Sequence, residues 1–347
     1  MRLSNVHRYL GLVLCLVMLT ISVTGVLLVW KKEYLWLTIP QARQTPDLEL
    51  TAIATVISQI ESHHPTGTVQ LVRIMAEDLA LYKVFLQDRQ YAWHDQDGRL
   101  IQQWGSNERF EDWLLDLHHR FLLGNTVGLN IAGFGGLLLV PLVILGFSLW
   151  WPRRRTLKLG VVPRQLQRGA LIRSHANLGA IAIVPILVVA VTGVILVYPT
   201  EARTVFLWNQ DTQQTSAPST STLEPNATPV TTLLEMLTVA HQHYPDAQIR
   251  WVSLPSEKYP QTTIGLQQVD GWNRMGHTSI SFLDGTVSAN SNDLQKPMAE
   301  RFLNFSYPLH VGKLDLWYRL LLTLFGLALA TLCVLGLTSY LRRNAER

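Results

Sequence analysis

The stretch HRYLGLVLCLVMLTISVTGVLLVW, residues 7–30, governs how the rest of the chain is read. After His7 and Arg8 it runs from Tyr9 to Trp30 without Asp, Glu, Lys or Arg. A membrane-spanning helix needs about 20 apolar residues, so this is a span with an imidazole at its entrance. Residues 175–198, HANLGAIAIVPILVVAVTGVILVY, repeat the design. Leu10–Gly11 and Leu178–Gly179 follow the two histidines at the same step, and Val-Thr-Gly-Val closes both stretches at the same distance. Two helices far apart in the chain therefore carry a histidine at the same depth.

Four charge-free stretches are long enough to span a bilayer: 9–30, 121–152, 174–200 and 320–341. The second is longer than a span requires, so its first part is expected outside the hydrocarbon. Arg2 and Arg8 give the first a basic start, as in a signal peptide. Its apolar run is too long for one and no small-x-small site follows, so it is read as a retained anchor. Arg153, Arg154, Arg155, Lys158, Arg164, Arg168 and Arg173 crowd the loop between the second and third spans, and Arg342, Arg343 and Arg347 follow the fourth. Basic loops stay in the cytoplasm, so both termini are expected inside a bacterial inner membrane. The formal charge of +4 then reflects topology and gives no argument for nucleic acid. The lipid bilayer is the partner these numbers establish.

Between the spans the pattern changes period. LTAIATVISQIESHHP reads as an amphipathic helix, followed by strands in VQLVRIM, ALYKVFLQ and QYAWHDQDGRLIQQW, with a turn at Asp97–Gly98. The second half repeats this with TTLLEMLTVAHQHYP, QIRWVSL, QTTIGLQQ and HTSISFLDGTVSA, turning at Asp284–Gly285. The expected fold is a membrane α-helical protein: four transmembrane helices in two parallel repeats, each enclosing a small α+β outer domain. Its boundaries are span one at 1–30, outer domain one at 31–120, span two at 121–152 and a basic loop at 153–173. Span three follows at 174–200, a linker and outer domain two at 201–314, and span four with its tail at 315–347. The Ser/Thr/Pro-rich stretch 211–229 reads as a flexible linker.

Cys15 and Cys333 both lie inside spans and read as small core residues. Of the eleven histidines, His63, His64, His94, His241, His243 and His277 read as solvated polar residues of the outer domains. The others stand at span entrances: His7, His118 with His119, His175 and His310. Spans one and three run outward, so His7 and His175 share the inner face. Spans two and four run inward, so His118 or His119 shares the outer face with His310. A helix-start dipole disfavours imidazolium, and neutral imidazole is the form that binds metal. Two such rings on facing helices can grip haem iron from both sides. Gly11 and Gly179, four residues on, and Gly25 and Gly193, about five turns on, are expected on the histidine face, leaving room for a flat ring. Gly124 and Gly312 are expected to clear the outer pair. Small-residue helix packing explains these glycines almost as well. It does not explain the histidines.

The pieces VHRYLGL…VTGVLLVW, LLDLHHRFLLGNTVG, RSHANLGA…VTGVILVYP and YPLHVGKLDLW…LGLTSYLRR resemble the PepSY-associated transmembrane family, iron-regulated membrane proteins that include ferric-siderophore reductases. The resemblance covers nearly the whole chain, and the outer domains resemble PepSY units. It implies a di-haem b protein moving electrons outward to a ferric chelate, a haem-dependent ferric (siderophore) reductase. The histidines map to His7, His118, His175 and His310 as cofactor and metal ligands, with His119 an alternative to His118. Two haems b are implied, and no residue needs a catalytic role. Some relatives carry a fused flavin or nicotinamide domain, which this inner loop is too short to hold. The donor is then separate, a quinol or a reduced flavin in the cytoplasm. The rival readings are a non-enzymatic PepSY protein that binds or inhibits a peptidase or senses an envelope ligand, and a copper or haem permease.

Overall fold

A computed structural model describes residues 2–75, 79–156, 160–208, 221–222, 230–256, 259–270, 273–284, 286–290 and 292–345. Most of the linker at 211–229, Gly285 of the second turn, Lys158 and Arg347 lie outside the described residues. In chain order the elements are α1 (Leu3–Val29), α2 (Lys31–Thr38), α3 (Leu50–His63), β1 (Val69–Ile74), β2 (Tyr82–Leu86), β3 (Tyr91–His94) and β4 (Leu100–Trp104). Then come α4 (Phe110–Arg120), α5 (Leu129–Trp150), α6 (Arg168–Val197), α7 (Pro199–Phe206), β5 (Ser221–Thr222) and α8 (Leu233–His243). The chain closes with β6 (Gln248–Ser253), β7 (Thr262–Asp270), β8 (Asn273–Leu283), β9 (Thr286–Ala289), α9 (Met298–Val311) and α10 (Leu316–Ala345). They form two compact units.

The first unit holds α1, α4, α5, α6 and α10. Among the described residues four helical segments are long and apolar enough to cross a membrane: Leu3–Val29, Gly124–Arg155, Arg168–Val197 and Leu316–Arg343. α1 packs on α5 and α10, and α6 packs on the same two. Leu14, Met18, Leu142, Ile186, Ala328 and Leu332 fill the space between them. The outward faces carry exposed Val13, Leu16, Val184 and Leu324, as lipid contact requires and water would not favour. At the end of α1, Arg319 donates to the Val29 carbonyl at 2.8 Å and Trp30 Nε1 donates to Thr323 Oγ1 at 2.9 Å. A cation there complements the negative helix end.

The apolar stretch 121–152 is not one helix. Phe121, Leu122 and Gly124 have positive φ (51°, 60° and 77°), and a π-type turn, Gly124–Gly128, precedes α5. The chain is redirected there, and the span proper begins later.

The second unit is α+β. Its strands alternate buried and more accessible residues, as in Tyr82–Leu86 and, past a bulge near Val69, in Val72–Ile74. The two α+β segments do not stand apart. β1 pairs antiparallel with β6 through Leu71–Ser253, Val72–Val252 and Arg73–Trp251. One antiparallel sheet results, ordered β4-β3-β2-β1-β6-β7-β8-β9-β5. α3 and α8 cover one face in a shared core that includes Ile57, Ile60, Val72, Leu237, Val252 and Ile264. On the opposite face Leu35, Ile39 and Ala42 pack on Leu81, Trp93 and Trp104.

Candidate functional site: two histidine pairs

His7 lies in the second turn of α1 and His175 in the third of α6. Their ring centres are 6.2 Å apart. His118 and His310 lie in the last turns of α4 and α9, with ring centres 6.3 Å apart. The ring beside His310 is that of His118. His119 is exposed and its ring stands 5.6 Å from that of His118. Along α1, residue 7 to residue 24 is a rise of about 26 Å, so the pairs occupy opposite ends of the bundle.

The placement of His118 and His310 overturns the dipole argument. Both sit at the C-terminal, negative ends of their helices, where imidazolium is favoured rather than disfavoured. All four rings are instead half-buried in the bundle, and the leucines that meet His7 and His175 belong to its apolar core.

Each ring is held through Nδ1. His7 Nδ1 donates to the Leu142 carbonyl at 3.2 Å, and His175 Nδ1 to the Leu332 carbonyl at 3.0 Å. His118 Nδ1 meets Thr24 Oγ1 at 2.9 Å, and His310 Nδ1 meets Thr192 Oγ1 at 3.1 Å. An imidazole pinned through Nδ1–H presents the lone pair of Nε2, the usual arrangement of a metal-binding histidine.

The glycines serve the rings differently from the sequence reading. A Cβ on Gly25 would stand 3.0 Å from His118 Cε1, and one on Gly193 would stand 3.0 Å from His310 Cε1. These glycines lie about five turns from His7 and His175, so they make room for the pair at the other end. The first pair is cleared by Gly146, whose Cβ would lie 2.8 Å from His7 Cε1, and by Gly336, at 3.6 Å from His175 Cε1. Gly11 and Gly179 face Leu142 and Leu332 instead. Gly124 has nothing within 4 Å, and Gly312 faces Arg319, Leu322 and Val29. Both have positive φ, 77° and 78°, and shape the turns that follow His118 and His310.

The fit to haem can be tested on these distances. Two metal–nitrogen bonds of about 2 Å each, with each nitrogen about 1 Å from its ring centre, put the centres roughly 6 Å apart across one shared metal. Both pairs match. Among the described residues no group of three or more His, Cys, Asp or Glu is placed to hold a metal ion. Two protein donors suit a metal whose remaining ligands come from a macrocycle.

Sequence reasoning missed Thr24, Thr192, Gly146, Gly336 and the two leucine carbonyls. The signal was present in LVILG, 142–146, and LCVLG, 332–336, matched like the two VTGV segments. It also missed the second unit's buried histidines. His94 is fully buried and His64 nearly so, with their Nε2 atoms 3.1 Å apart. His94 Nδ1 donates to the Gly98 carbonyl at 2.9 Å, so its Nε2 accepts and His64 donates. The solvated reading holds for His63, His241, His243 and His277, which are exposed. Cys15 donates through Sγ to the Cys333 carbonyl at 3.3 Å, so the two residues read as small core residues are neighbours in the bundle.

A family model described as PepSY-associated TM region matches residues 4–343. No curated protein matches the chain.

Proposed function

This chain belongs to the PepSY-associated TM region family, and from that membership we propose that it is a di-haem b electron-transfer protein. The observation that carries the proposal is the matched spacing of the two pairs, 6.2 and 6.3 Å between ring centres, each ring pinned at Nδ1. His7 and His175 would hold one haem, and His118 and His310 the other. Bound haem supplies one-electron chemistry. The protein's own residues do the rest. The leucine carbonyls and threonine hydroxyls orient the rings, the glycines clear space beside them, and the apolar bundle keeps water out.

In this reading the two halves are parallel repeats, which the paired Leu142/Leu332 and Thr24/Thr192 contacts support. The protein lies in a bacterial inner membrane with both termini cytoplasmic, supported by the Arg-rich loop between α5 and α6. His7 and His175 then lie at the inner face and His118 and His310 at the outer. Electrons come from a separate cytoplasmic or quinol donor and leave to a periplasmic ferric chelate, the reaction of a ferric-siderophore reductase.

A reduced-minus-oxidised optical spectrum of protein purified after haem-replete expression tests the reading. The expected result is a split b-type band. A colourless protein would reject it in favour of a non-enzymatic PepSY membrane protein.

A further inference from the structure

We propose that Thr24 and Thr192 are positioning residues that set the redox potential of the iron held by His118 and His310, an inference that rests on the haem reading above. The two histidine pairs differ in what their Nδ1 atoms meet. His7 and His175 face backbone carbonyls. A carbonyl only accepts, so Nδ1 carries the proton in both. His118 and His310 face hydroxyl groups, which can do either.

The direction is set by where each hydroxyl proton goes. Thr24 donates to the Thr20 carbonyl at 2.7 Å, with the Ile21 carbonyl at 3.1 Å. Thr192 donates to the Val188 carbonyl at 2.8 Å, with Val189 at 3.1 Å. A hydroxyl has one proton, so the oxygen offers lone pairs to the histidine. Nδ1–H therefore donates, and Nε2 is left bare on all four rings.

Back-bonding to the helix carbonyl four residues earlier is an ordinary use of threonine in a span. Thr331, which is exposed, makes that bond to the Leu327 carbonyl at 2.8 Å. What distinguishes Thr24 and Thr192 is that each oxygen also receives a histidine proton, and each is followed by the glycine that admits the ring. Pull on Nδ1–H makes Nε2 more basic. A more basic ligand stabilises oxidised iron and lowers its potential. The threonines thus act on one iron site only, through a side chain that mutation can remove. The leucine carbonyls act on the other and cannot be removed this way.

The experiment is a redox titration of the purified haem-loaded protein, read in the b-type absorption band. It compares wild type with Thr24→Val, Thr192→Val, Thr24→Ser and Thr331→Val. Valine keeps nearly the shape of threonine and removes only the hydroxyl, so both haems should stay bound. Thr24→Val and Thr192→Val should each raise one of the two midpoint potentials and leave the other in place. Thr24→Ser should restore it, and Thr331→Val should move neither. Loss of one haem in Thr24→Val that Thr24→Ser repairs would also support the role. Unmoved potentials in both valine variants, with both haems present, would overturn the threonine role alone. A wild type without haem would overturn the reading beneath it.

Discussion

Gly25 lies so close to His118 that a Cβ on it would stand 3.0 Å from the ring's Cε1. The ring cannot retreat from α1 without giving up the contact of its Nδ1 with Thr24 Oγ1, at 2.9 Å. Gly25→Ala should therefore push His118 out of line, at an overpacking cost of about 1–3 kcal/mol, and lower haem content at that end. Gly11→Ala puts its Cβ 3.9 Å from Leu142, ordinary contact, and should leave haem content unchanged. Haem per protein in the two variants checks the contrast.

The buried His64–His94 pair makes the α+β unit sensitive to acid. Burial is the leading cause that holds both rings below the usual histidine range. In the window below pH 6.5 the unfolded chain binds protons that the folded pair refuses. Stability then rises with pH across that window and falls as acid is added. The melting temperature at pH 5.5 should lie below that at pH 7.5, and His64→Leu should flatten the difference.

Ile57 of α3 is fully buried in the core over the joined sheet. Ile57→Ala should cost about 2–5 kcal/mol. Because β1 and β6 share that sheet, the loss should appear in the unfolding of both α+β segments together. Hydrogen exchange on β6–β8 as well as β1–β3 reads it. Increased exchange confined to β1–β4 would contradict a single cooperative unit.

Some of this was legible because it is local. Missing charges mark the four spans, and alternation marks β1–β3 and β6–β8, whose observed bounds follow the sequence expectation closely. The pairing of His7 with His175 follows from matched position in matched segments. Other features depend on neighbours that periodicity does not name. Eighteen residues bring Gly25 back to the azimuth of His7, but also carry it to the far end of the bundle, where a ring from α4 fills the space. The turn at Phe121 and Leu122 needs positive φ at residues that seldom adopt it, so 121–152 read as one continuous stretch. The β1–β6 edge joins strands from different halves, and alternation says which face is buried but not which edge finds a partner. His64 and His94 are thirty residues apart, a contact only the folded unit creates.

The haem-to-protein ratio of purified wild type, His7→Ala and His310→Ala, each loaded during haem-replete expression, tests the central claim most directly. Two haems per wild-type chain and one in each variant, with complementary halves of the split band surviving, is the predicted result. A wild type holding none, or variants that keep both, would contradict it.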